Sequence, residues 1–128
     1  DIYMPDLKFL DPGLARRYTG RADYPEAARA ALREMHRQVG DLAVSQGLAV
    51  RGLLVRHLVM PDATADGLAV LDFLADEISA RTFVNVMGQY HPSHRADEFP
   101  ELRRRPRPDE VAALRDHARR RGLRLAEP

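Results

Sequence analysis

Residues 52–61, GLLVRHLVMP, are apolar at odd and even positions alike, interrupted only by Arg56 and His57. Successive side chains of a strand point to opposite faces, so a strand with one wet face alternates apolar with polar. A run apolar on both faces is the pattern of a strand covered on both sides, typical of the centre of a parallel sheet. The next segment, residues 62–79, carries Leu68, Leu71, Leu74, Ala75 and Ile78 on one stripe and predicts a helix over 64–79. A second apolar run, TFVNVMGQYHP at 82–92, predicts a further strand ended by Pro92.

Working back towards the N-terminus, LAVSQGLAV (42–50) reads as a hairpin turning at Gln46-Gly47. Before it, YPEAARAALREMHRQVG (24–40) is an amphipathic helix opened by Pro25 and stopped by Gly40. Its apolar face is Ala28, Ala31, Leu32, Met35 and Val39, and Arg29, Arg33 and Arg37 lie opposite. DPGLARRYTG (11–20) predicts a short helix with Asp11 as N-cap, Pro12 in the first turn and Gly20 as the stop. IYMPDLKFLDP (2–12) begins as an apolar strand. Beyond Pro92 a loop rich in charge and proline runs over 92–108, a C-terminal helix over 109–122 uses Val111, Leu114 and Ala118, and a last short strand is expected at 123–125.

This order of strands and helices predicts an α/β fold with parallel strands and right-handed crossovers. A length of 128 residues is about one domain, and 45% apolar residues suffice for a core. No run approaches the roughly 20 apolar residues that span a bilayer, so no membrane partner is expected and the chain reads as soluble and cytoplasmic. With no cysteine, the sequence holds no disulfide, thiol nucleophile or cysteine-ligated cluster. The chain opens without Met, inside an apolar strand with an uncovered edge. That predicts the C-terminal part of a larger protein, or a partner over that edge.

In parallel βα architectures ligands bind beyond the C-terminal ends of the strands. The polar tips are Asp6 and Lys8 on the first strand, Arg56 and His57 on the second, and Asn85, Gln89, Tyr90 and His91 on the third. One pocket shared by the three tips is the expectation. Each residue also has an ordinary structural role open to it. Asp6 and Lys8, two apart and on one face, could pair with each other. Arg56, inside an apolar run, needs an anionic partner from protein or ligand. His57 alternates to the opposite face, where a packed, hydrogen-bonded histidine is the commoner outcome, and Gln89 and Tyr90 could cap their strand. His94 and His117 are expected on the surface. Residues 101–128 carry nine Arg against five acids, while Lys8 is the only Lys of the chain. The clusters RRRPR and RRRGLR read as solvated and dipole-matched rather than as a nucleic-acid surface.

The segments at 3–40, 52–61 and 83–92 together resemble the C-terminal half of radical S-adenosylmethionine proteins similar to the pyruvate formate-lyase activating enzyme. The likeness extends to about residue 122. It rests on D-L-K in a strand (Asp6, Leu7, Lys8), then VRHLVMP about fifty residues on, then NVMGQYHP. It implies a partial (β/α)6 TIM-like barrel, of which these residues supply the last three βα units. Its cofactors would be S-adenosylmethionine and a 4Fe-4S cluster on a CxxxCxxC loop upstream. Its partners would be a glycyl radical enzyme or other substrate and a flavodoxin or ferredoxin as electron donor. Asp6 and Lys8 would lie near the methionine end of the cofactor, Asp6 also near a monovalent cation, and Arg56 near the same zwitterion. The strand at 85–91, with Asn85, Gln89, Tyr90 and His91, would approach ribose and adenine, its register leaving the contacting side chain open. The cluster cysteines and the glycine-rich second-strand motif are absent here, so these residues alone would be inactive. Two other classes stand beside this one. They are a divalent-metal hydrolase on a βα barrel with Asp6, His57 and His91 as ligands, and a non-enzymatic interaction module with a basic tail.

Overall fold

The computed structural model describes residues 1–92 and 98–126. His94 lies outside the described residues. The first strand, β1 (Ile2–Tyr3), is followed by helix α1 (Pro12–Thr19) and helix α2 (Tyr24–Val39). A hairpin of β2 (Ala43–Ser45) and β3 (Leu48–Leu58) leads to α3 (Thr64–Phe73), β4 (Phe83–Met87), α4 (Pro108–Arg120) and β5 (Arg124–Leu125). The sheet order is β1-β3-β4-β5, all parallel, with β2 added antiparallel to β3. The protein is therefore α/β, a parallel sheet with covering helices. No helix among the described residues is long and apolar enough to cross a membrane.

Local chemistry explains the boundaries. The Asp11 side chain accepts from Leu14 N at 3.0 Å to cap α1, and Gly20 ends it at φ 78. Gln46 (φ 53) and Gly47 (φ 79) make the left-handed pair that a tight two-residue hairpin requires. Two expected elements differ. The helix expected over 64–79 is α-helical only to Phe73 and then widens into a π turn, Leu74–Ile78, where Ser79 N reaches Leu74 O at 2.9 Å. The strand expected over 82–92 pairs only over Phe83–Met87, and β5 is two residues long.

Helices α2, α3 and α4 cover one face of the sheet, and α1 packs on α2. Leu7, Leu53, Val55, Val84 and Val86 from that face pack with Leu32, Val70, Leu71, Leu74, Leu114 and Ala118 from the helices. Among the described residues no helix covers the other face. It shows Ile2, Met4 and Val50 exposed and Leu54, Leu58 and Phe83 half-buried. The run at 52–61 is thus buried on one side only, and Arg56 stands on the uncovered side with 44% of its side chain exposed. The expectation of a fully desolvated arginine is corrected accordingly.

Candidate functional site

The pleat and register of the sheet build the site. Leu7 N donates to Arg56 O and Arg56 N to Pro5 O, both at 2.9 Å, which extends the β1–β3 pairing to an isolated bridge at Asp6 and Arg56. Arg56 is in turn in register with Asn85 on β4. Side chains in register on parallel strands share a face, so Asp6, Arg56 and Asn85 form one row across three strands. One pleat further lie Lys8, Leu58 and Met87, and beyond them Gln89, Tyr90 and His91. A cavity of about 390 Å³ opens over this second row, lined by Asp6, Lys8, Arg56, Leu58, Met87, Gln89, Tyr90 and His91. That size falls in the range of small-molecule sites.

Three strand tips therefore meet in one cavity, as their polarity predicted. Asn85 sits in the row below and does not line it. Leu58 and Met87 form an apolar floor not singled out in the sequence, although they follow from Arg56 and Asn85 by two-residue alternation. Within the cavity Arg56 Nε lies 3.3 Å from Asp6 Oδ1, both side chains 44% exposed, so Asp6 pairs with Arg56 rather than with Lys8. The Tyr24 hydroxyl accepts from Lys8 N at 3.0 Å and donates to Asp6 O at 3.5 Å, on the edge of the first strand that has no neighbour. No sequence signal marked Tyr24. Burial pushes its phenol up from the ordinary value, so it remains a neutral donor and acceptor. On the opposite wall Tyr90 donates to Leu102 O at 2.8 Å, fixing the turn after β4.

His57 is not part of the cavity. It is 3% exposed, and its Nδ1 lies 2.8 Å from Leu7 O. A carbonyl only accepts, so the ring carries its proton on Nδ1. Desolvation holds His57 below its ordinary value, which keeps it neutral. Beside it the buried Asp66 carboxylate accepts from Leu10 N at 3.1 Å and Asp11 N at 2.7 Å, and burial raises its carboxyl. This pair braces the turn after the first strand beneath the cavity. A metal site of Asp6, His57 and His91 does not assemble, because His57 lies on the helix-covered face and the other two on the open one. Among the described residues no group of three or more His, Asp and Glu is placed to hold a metal ion. His117 is half-buried, with Nε2 2.7 Å from Asp72 Oδ1, rather than free on the surface.

No family model matches the chain. No solved structure matches it. The chain is similar to an uncharacterized protein of Methanocaldococcus jannaschii, 27% identical over 128 residues that make up 98% of this chain and 33% of the relative. It thus spans about a third of that relative's length.

Proposed function

We propose that the chain is the C-terminal part of a radical S-adenosylmethionine enzyme of the pyruvate formate-lyase activating type, its central cavity taking the methionine and ribose end of the cofactor. The observation that carries this reading is the convergence of Asp6, Lys8, Arg56, Gln89, Tyr90 and His91 on one cavity at parallel strand tips. The charge set suits a molecule with a carboxylate and a cationic centre. Lys8 and Arg56 face the carboxylate and Asp6 the ammonium or a monovalent cation, while Tyr90 and His91 flank the sugar. The Asp6–Arg56 pair is half-exposed, and such pairs contribute about 0–1 kcal/mol, so a ligand carboxylate displaces Asp6 from Arg56 at little cost.

The uncovered sheet face, apolar below and polar at the tips, has the character of the inner wall of a partial (β/α)6 barrel. A 4Fe-4S cluster finds no thiolate among these residues, so in this reading its ligands belong to a preceding segment. With that cluster reduced, bound S-adenosylmethionine supplies a 5′-deoxyadenosyl radical for hydrogen abstraction. What this chain contributes is binding, orientation and the substrate-facing wall. A flavodoxin or ferredoxin as donor, and a glycyl residue of a partner enzyme or another C–H donor as substrate, complete the proposal, with the reaction in the cytoplasm. The test is anaerobic iron reconstitution of the whole natural protein followed by reduction with S-adenosylmethionine. Release of 5′-deoxyadenosine is expected, with Arg56→Ala raising the KM for the cofactor about tenfold. A cluster-loaded protein that makes no 5′-deoxyadenosine overturns the reading.

A further inference from the structure

The basic C-terminal stretch has nine arginines, and the fold occupies most of them. Arg104 reaches Asp62 and Glu110, Arg107 reaches Asp109, and Arg119 reaches Asp116. Arg121 holds Asp72 and Asp76, and Arg124 donates to Leu42 O. Arg103 is engaged as well. Arg120 stands in the last turn of α4, where the helix carbonyls favour a cation. Arg105 has neither arrangement, and no side-chain partner is found for it among the described residues.

Arg105 lines a second cleft of about 510 Å³, between the turn after β4 at Gly88 and Gln89 and the α4 residues Val111, Ala112 and Arg115. Arg115 is fixed there by donating Nε and Nη2 to Val86 O at 3.3 and 3.0 Å. Two of its five N–H donors are used in this way and the rest remain. Among the described residues no carboxylate lines the cleft, so there two guanidiniums border it without a counter-charge. Gln89 belongs to both this cleft and the central cavity, so the two are neighbours with a common wall.

We propose that this cleft binds the anionic group, a carboxylate or a phosphate, of a small-molecule substrate whose reacting carbon lies over the central cavity. This narrows the substrate class of the function proposed above and rests on that reading. Guanidinium forks match the planar oxygens of both groups, and a fixed Arg115 beside a free Arg105 gives one preset and one adaptable arm.

The test titrates the whole natural protein with inorganic phosphate, and separately with succinate, following backbone amides and arginine Nε–H signals by NMR. The expected result is saturable shifts at Gly88, Gln89 and the Arg105 and Arg115 side chains, for phosphate, succinate or both. Which anion binds tighter assigns the substrate's group. Arg105→Gln should weaken binding about tenfold, as loss of a charge-assisted contact does, and Arg120→Gln should leave it unchanged. Arg105 is exposed and without side-chain partners, so its variant folds. Shifts that fail to saturate, that spread equally to Arg120, or that survive Arg105→Gln overturn the proposal. Anion binding needs no cofactor, so its loss counts against this cleft alone, whereas absence of 5′-deoxyadenosine counts against the cofactor reading.

Discussion

Replacing Glu110 by alanine should unfasten the start of α4 from the turn after β3. The carboxylate is only 4% exposed and accepts from Arg107 N at 2.7 Å, Asp62 N at 2.9 Å and Arg104 Nη1 at 2.9 Å. It thereby ties the start of α4 to the turn after β3, where Asp62 holds a left-handed φ of 58. The Arg104 guanidinium, more than any other neighbour, holds the Glu110 carboxyl down at about 2 from an ordinary 4.5. Losing two backbone hydrogen bonds costs about 1 kcal/mol each, and the ion pair adds about 1 more because Arg104, 35% exposed, rehydrates. The expected loss is about 3 kcal/mol, or roughly 10 °C in Tm for a chain of this size. The folded pKa lies below the unfolded one, so this contribution is complete above about pH 4.5 and is lost as pH falls through 2. Urea titrations of wild type and Glu110→Ala, followed by circular dichroism, should therefore differ by about 3 kcal/mol at pH 7 and converge as pH is lowered from 4.5 towards 2.5. A difference under about 1 kcal/mol at pH 7, or one that does not shrink in acid, refutes the argument.

Two further predictions concern the elements that align the strand tips. Gly52 takes φ 110 where β3 leaves the hairpin and enters the parallel sheet, and a Cβ there would lie 2.3 Å from the Asp41 carbonyl oxygen. Gly52→Ala should cost at least about 3 kcal/mol in denaturant titration, since the clash is with backbone, and a cost under about 1 would contradict it. Tyr24→Phe removes the acceptor for Lys8 N, a partly wet bond, so global stability should fall by about 1 kcal/mol or less. Hydrogen exchange at the Lys8 amide should nonetheless rise about tenfold, while Leu7, bonded to Arg56 O, keeps its protection. An unchanged Lys8 amide would show that Tyr24 does not hold the strand tip.

What could be read from the sequence follows from which periodicities are rigid. Along a strand the two-residue alternation leaves no freedom, so Asp6, Arg56 and Asn85 fall on one face once three parallel strands are in register, and the central cavity was legible. The capped helices were legible because Asp11, Pro12 and Gly20 each act within a turn of their own position. The π turn was not, since five residues are too few to separate a period of 3.6 from a wider one. Arg56 shows how a residue's place at a strand tip can be read through the wrong force. The run at 52–61 is apolar on both faces, which implied a desolvated arginine in need of an anion, yet its side of the sheet is open and its pairing with Asp6 is weak. Its claim on a ligand therefore rests on position at the strand tip, not on a desolvation cost. The second cleft lay beyond sequence reasoning for a related cause. Arg105 reaches it from an irregular segment and Arg115 from a helix, so their meeting at Gly88 depends on the path of a loop, to which no residue period applies.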